Sequence, residues 1–312
     1  MTTPNGMTAQ EFARGRFVRQ GNRFTDLITA DGRSGYPAEP GRYRLFVSYA
    51  CPWAHRTLIV RRLLGLEDAI GVGVVDPIRD ERGWRFPDHD PVTKAVFLSE
   101  LYLASDPSFD GRYTVPCVWD TVNGRLVTND YPAITTTMET EFTALHRPGA
   151  PDLYPEALRP EIDELNDLVY STVNNGVYKA GFATSQEAYE EAFDALFATL
   201  DQLEERLSTR RYLLGDALTE ADVRLYPTLA RFDAVYYSHF KCNLRRLTDY
   251  PNLWGYARDL YSIPAFGETT NFDHIKRHYY GTHPNINPTG IVPKGPLIDW
   301  TAPHGRENLS AG

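Results

Sequence analysis

The chain has 312 residues, 42% of them hydrophobic, with 41 acidic against 32 basic side chains and a formal net charge of −9. That length suits two domains with ample core, and the acidic balance without a basic cluster argues against nucleic acid as a partner. No apolar run nears the roughly 20 residues that span a bilayer. The polar first ten residues lack the apolar stretch of a secretory signal, so no membrane partner and a cytoplasmic location are expected.

Three cysteines, Cys51, Cys117 and Cys242, are odd in number and far apart, which does not suit a disulfide framework. Residues 1–42 are polar and glycine-rich and read as an extension wrapping the surface, with few apolar anchors. A β-α-β pattern then begins: a strand over Tyr43–Val47, a helix over Pro52–Leu64 closed by Gly65, and a strand over Ile70–Val75. The stretch from Asp76 to Arg112 is long and irregular, and such a segment inside a compact domain is functional or partly helical. Val115–Asp120 is the next strand, Asn123-Gly124 a hairpin turn, and Leu126–Thr128 the returning strand. A helix follows from Tyr131 or Pro132 to Phe142.

The most telling residue in this half is Cys51, in the run Cys-Pro-Trp-Ala-His-Arg at 51–56. Proline is suited to a first helical turn, so Cys51 is placed at a helix N-terminus, where unpaired N–H groups and the dipole are expected to lower its thiol pKa. Position 54, where a dithiol site would carry a second cysteine, is Ala. A mixed disulfide on Cys51 must therefore be resolved by an outside thiol.

Pro148 to Pro155, with three prolines, reads as a linker, and helical patterns follow. Ile162, Leu165, Leu168, Val169 and Thr172 share one face, and Ala192, Phe193, Leu196, Phe197, Leu200, Leu203 and Leu207 share another. Thr219, with Asp222 three residues on, marks a helix start. From Gly281 to Gly312 the chain is extended or loop-like. The expected domains are residues 43–148, thioredoxin-like and thiol-binding, and residues 155–280, all helical, with 281–312 as a tail.

Cys51-Pro-Trp-Ala-His-Arg56, Thr114-Val-Pro116 and Leu218-Thr-Glu-Ala-Asp-Val223 together resemble the glutathione transferase superfamily. Gly83-Trp-Arg-Phe86, Asn174-Asn-Gly-Val-Tyr-Lys-Ala-Gly-Phe182 and Ile275-Lys-Arg-His-Tyr-Tyr280 before Ile286-Asn-Pro-Thr-Gly-Ile-Val-Pro293 narrow the resemblance to the xi class, the glutathionyl-hydroquinone reductases. The resemblance implies an α/β thioredoxin-like domain followed by an all-α domain. It implies reductive cleavage of thiol–hydroquinone conjugates through a Cys51 mixed disulfide, with a small thiol and an aromatic quinol conjugate as partners. No permanently bound cofactor, no metal, and a homodimer are expected.

Residue by residue, the resemblance makes Cys51 the nucleophile, with Tyr178 and Tyr279 facing the aromatic acceptor as hydroxyl donors. Trp84 would pack on the thiol cosubstrate. Val115, before a cis Pro116, would offer it backbone groups, and Arg112 would meet an anionic group of it. The family opens its post-hairpin helix with a Glu-Ser pair that holds the γ-glutamyl end of glutathione. Here the positions are Asp130 and Tyr131, followed by Pro132. That departure, with 27 Arg against 5 Lys hinting at a GC-rich genome, implies mycothiol as the cosubstrate and glutathione as its alternative, with Tyr131 stacking on a sugar ring.

Other residues read more plainly. His274 and His278, four apart, are expected as surface or supporting groups, His55 as an interface residue, and Cys117 and Cys242 as inert packing. An omega-like thioltransferase or dehydroascorbate reductase, and a non-catalytic binding module on the same fold, are the rival functions.

Overall fold

The computed structural model describes residues 12–13 and 15–309. Two short strands, β1 (Phe12–Ala13) and β2 (Arg16–Phe17), pair antiparallel at the start. The first domain carries β3 (Tyr43–Val47), α1 (Pro52–Leu63), β4 (Ile70–Val74), α2 (Leu98–Ser105), β5 (Cys117–Asp120), β6 (Arg125–Thr128) and α3 (Tyr131–Thr140). The sheet order is β4-β3-β5-β6, with β3 and β4 parallel and the other pairs antiparallel. In the central strand Leu45 stands opposite Val72 on one side and Val118 on the other. This is the expected β-α-β, hairpin and helix order, and α2 lies inside the segment that looked irregular.

The helix α1 ends as its sequence suggests. Gly65 takes φ +72°, its N–H reaches the Arg62 carbonyl, and the Leu66 N–H reaches that of Arg61 at 2.8 Å. This is a Schellman closure, which needs a left-handed residue at that position.

The opening segment is not a surface wrap with few anchors. Phe17, Phe24, Ile28 and Tyr36 are all buried in the two cores, and Thr25 bridges to Thr128 on the free edge of β6. Anchors spaced irregularly along an extended chain carry no period, so the sequence pattern hides them.

The second domain packs α4 (Arg159–Val169), α5 (Gly176–Gly181), α6 (Gln186–Arg206), α7 (Glu220–Arg231), α8 (Pro251–Ser262), α9 (Pro264–Gly267) and α10 (Phe272–Thr282). Leu168, expected on the buried face of α4, is 38% exposed, and Asn166 is buried instead, where its side-chain amide donates to Glu220 at 2.7 Å. Thr219 caps α7, its N–H donating to Asp222 at 2.9 Å, while Asp222 also accepts from the Leu213 N–H and the Tyr256 hydroxyl. Two π-helical turns follow α4 and α7: Tyr170–Asn174, whose Tyr170 ring meets Trp53 of the first domain, and Phe232–Tyr236, which packs on α10. Such turns often sit at functional sites. Beyond α10 no helix or strand forms among the described residues, although Trp300 and Arg306 are buried. No described helix is long and apolar enough to cross a membrane.

Candidate active site

Between β3 and α1 the chain turns through residues 48–50 and delivers Cys51 as the N-cap of α1, with Pro52 opening the helix. The Cys51 thiol is half-buried and donates to the Val115 carbonyl at 3.3 Å, and the Val115–Pro116 peptide is cis, as expected. Burial pushes the thiol pKa up. The Ala54 and Trp53 N–H groups and the charges of Arg231 and Arg19 pull the other way without overcoming it. The expectation of a lowered pKa is therefore corrected. The helix N-terminus is present, but the enclosure of the sulfur outweighs it, and the thiol spends its proton on a carbonyl.

Arg231, at the end of α7, fixes the turn that presents this sulfur. Fully buried, its guanidinium donates to the carbonyls of Tyr49 (2.9 Å), Ala50 (3.0 Å) and Pro227 (2.8 Å), and to His55 Nδ1 (3.1 Å). His55 Nδ1 must then be an acceptor, and its Nε2 meets Thr269 Oγ1 at 2.9 Å. Burial and the Arg231 charge hold His55 well below the usual imidazole range. His55 is thus a neutral strut between the domains, bonded to Arg231 and Thr269 and outside the cleft lining, in keeping with an interface residue.

A cleft with about 670 Å³ of free space, partly open to solvent, runs past Cys51. Its lining includes Trp84, Arg79, Arg112, Val115 and His278. His278 stacks on the Trp84 ring at 4.9 Å and Arg79 lies 5.2 Å over that same ring. His278 was expected at the surface or in support. It is buried, bonded through Nδ1 to the Pro77 carbonyl, and pushed down to about 3 by burial and Arg79, so it is a neutral ring lining the cleft.

The lining also includes Trp53, Arg19, Phe17, Phe182, Tyr178 and Tyr279. The Tyr178 and Tyr279 hydroxyls share a short hydrogen bond, and Tyr279 also meets the Tyr236 hydroxyl at 3.0 Å. Burial raises the pKa of all three phenols, and the nearby Cys51 adds to it at Tyr178. They are therefore proton-holding groups, with the Tyr178 ring against Trp53 at 6.2 Å.

The structure brings Cys51, Trp84, Arg112, Val115, Tyr178 and Tyr279 onto one cleft. Pro116, Asp130 and Tyr131 stand behind its lining. Asp130 accepts from Asn22 at 3.1 Å, and the Tyr131 ring lies 4.7 Å from Trp53. The sequence reading missed Arg19, Arg79, Arg231, Tyr236 and His283. Three are arginines outside any motif, and Tyr236 sits in a π turn whose period no helical pattern matches. Cys117 and Cys242 are fully buried, and burial pushes both thiols far up, in keeping with inert packing.

The glutathione S-transferase N-terminal domain family matches residues 50–141, and its C-terminal domain family residues 186–259. Glutathionyl-hydroquinone reductase YqjG of Escherichia coli is 51% identical over 305 residues, covering 94% of this chain and 93% of that protein. Glutathionyl-hydroquinone reductase PcpF of Sphingobium chlorophenolicum is 51% identical over 288 residues, covering 90% of each. Among solved structures, the glutathione S-transferase Xi of Phanerochaete chrysosporium superposes with a TM-score of 0.88 at 51% identity, covering 91% of this chain and 93% of that one. The glutathione-bound YqjG superposes with a TM-score of 0.89 at 50% identity, covering 92% and 99%. With a thioredoxin-like domain, a helical domain and a monothiol cleft between them, the chain belongs to the xi class of glutathione transferases, the glutathionyl-hydroquinone reductase family.

Proposed function

We propose that this protein reductively cleaves thiol conjugates of hydroquinones, using Cys51 as nucleophile and a small thiol as reductant. The observation that carries the reading is the placement of a solitary cleft cysteine beside paired phenols that hold their protons. Two sets of lining residues divide the labour. Trp84, Arg112 and Val115 suit the thiol portion, and Tyr178 and Tyr279 the aromatic ring.

A conjugate whose amide groups engage Val115 takes that carbonyl from the Cys51 thiol, whose proton leaves to solvent. Arg231 and the α1 N-terminus then stabilise the thiolate. The Tyr178–Tyr279 pair delivers a proton to the sulfur-bearing ring carbon while the adjacent ring hydroxyl loses its own, giving the ketone tautomer. The thiolate attacks the conjugate's sulfur and an S–S bond forms. The C–S pair flows through the ring to the oxygen, leaving a phenolate that takes a proton to become hydroquinone. A second thiol attacks the mixed disulfide, restores Cys51 and departs as the thiol dimer. The chain has no cysteine at position 54, and this sequence needs none.

Two features bear on which thiol is used. The glutathionyl-hydroquinone reductases among the relatives, and the glutathione-bound YqjG, favour glutathione. The Asp130-Tyr131-Pro132 start of α3 favours mycothiol, although Tyr131 already packs on Trp53. The test is hydroquinone release from synthetic glutathione and mycothiol conjugates by wild type and Cys51→Ala. Release that requires Cys51 is expected, and the preferred conjugate assigns the thiol. Failure with both conjugates, alongside turnover of simple mixed disulfides, would replace this reading with the omega-like one.

A further inference from the structure

The N-terminal segment places a guanidinium in the cleft that the reaction as written does not use. Arg19 follows β2 and lies over three rings of the cleft lining: Trp53 at 4.8 Å, Tyr178 at 5.0 Å and Phe17 at 5.4 Å. Its Nε donates to Asn175 Oδ1 at 3.1 Å. That bond fixes the plane of the group and leaves both terminal nitrogens over. Nη2 is shut from solvent without a hydrogen-bonding partner, and no carboxylate pairs with Arg19 among the described residues. The cleft lining as a whole holds Arg19, Arg79 and Arg112 and no Asp or Glu. A partly desolvated cation with unmatched donors is costly unless an anion completes it. A guanidinium fork held against aromatic rings is suited to an oxygen anion in a way that a flexible ammonium is not.

Position decides which anion. Arg79 lies over the Trp84 ring and Arg112 precedes Val115 in the chain, where the thiol is proposed to lie. Arg19 lies instead on the ring of Tyr178, the group proposed to protonate the acceptor. We propose that Arg19 forms the oxyanion subsite for the aromatic leaving group, donating to the ring oxygen that becomes a phenolate as the C–S bond breaks. This rests on the function proposed above. The atoms and electrons are those of the cleavage step: the pair leaving the C–S bond arrives on that oxygen, and Arg19 holds the charge until a proton arrives. Stabilising charge that develops only in the transition state raises kcat rather than affinity. Acceptors bearing an acidic hydroxyl next to the cleaved carbon are then the preferred class.

The experiment uses the full chain with Arg19→Gln and Arg19→Lys, each checked for wild-type thermal unfolding. The first readout is equilibrium binding of 4-nitrophenol, whose phenolate absorbs in the visible. Wild type should lower the apparent pKa of the bound phenol by about 1–3. R19Q should lose that lowering and R19K keep part of it. The second readout is single-turnover cleavage of whichever conjugate the wild type accepts, where R19Q should be slower by about 10²- to 10³-fold, chiefly in kcat. No lowering in wild type, or equal lowering in R19Q, overturns the proposal. So does an R19Q that binds S-methylglutathione more weakly while its nitrophenol titration is unchanged, because the guanidinium would then serve the thiol's carboxylates. An Arg19-dependent pKa shift in a wild type that cleaves neither conjugate would keep the subsite and remove the cleavage reading.

Discussion

Arg231 carries a full positive charge into the domain interface, and among the described residues it has carbonyls and an imidazole nitrogen but no carboxylate around it. Its natural counter-charge is the thiolate of Cys51, which forms one residue beyond the carbonyls that Arg231 holds. Replacing it with Met should leave the buried Ala50 carbonyl and His55 Nδ1 without their donor, at about 1–3 kcal/mol each before relaxation, and a net loss of about 3 kcal/mol or more in urea unfolding is expected. The same variant removes a charge that lowers the Cys51 pKa. The pH–rate profile for iodoacetamide labelling of Cys51 in the unliganded protein should lie above the ordinary thiol midpoint of about 8.5, and Arg231→Met should move it higher still. A wild-type midpoint below the ordinary value would show that the helix N-terminus dominates after all. Cys117 and Cys242 are sealed and should not label.

The contact of α3 with α7 holds an unusual carboxyl. Glu139 is buried with neither oxygen hydrogen-bonded, while Glu220 takes bonds from Thr135 (2.9 Å), Asn166 (2.7 Å) and Arg224 (2.5 Å). Burial first, and Glu220 second, hold Glu139 well above its usual 4.5. Below that unfolded value both states keep the proton, and the contribution of Glu139 is complete. As pH rises, the unfolded chain releases the proton and the folded one retains it, so stability falls until the folded pKa is passed. Each pKa unit between the two states is worth about 1.4 kcal/mol. Glu139→Gln should therefore stabilise the protein at pH 7.5 by about 1 kcal/mol or more and have little effect at pH 4, as read by urea midpoints at the two values. Equal effects at both would mean that the carboxyl is ionised when folded.

The elements also show what a single sequence reveals. The strand–turn–helix around Cys51, the Gly65 closure and the Thr219 cap were legible because each rests on local backbone chemistry within a few residues. Cys51 stood out by itself, whereas Trp84, Val115, Tyr178 and Tyr279 were legible only because motifs tied them to known relatives. Arg19, Arg231 and Tyr236 were not. Their roles depend on contacts between residues far apart in sequence, as when Arg231 reaches Ala50, and no local pattern encodes such a meeting. The thiol pKa was misjudged for the same reason: the helix start is a local feature, while the lining around the sulfur comes from five other stretches of chain.

Across the whole molecule, α1 is the element both domains share. It packs on α3 within its own domain and on α7 and α9 of the other, with His55 bonded to Thr269 and Arg56 to Asn174 at 2.6 Å. Separating the domains would expose these buried polar groups together with the cleft. The protein should therefore unfold in one calorimetric transition with van't Hoff and calorimetric enthalpies equal. Two resolved transitions would show that the interface is weaker than its bonding suggests.

The N-terminal segment is stitched to this body at Phe17, Phe24, Ile28 and Tyr36 and by the bridge from Thr25 to Thr128, while the guanidinium it offers the cleft hangs on a single bond to Asn175. Anchoring and reach thus reside in different residues of one short stretch of chain. Acceptor preference is thereby portable: grafting the residues around Arg19 between members of the family, with the four anchors kept, would carry choice of aromatic partner from one catalytic body to another without touching the cysteine or its helix.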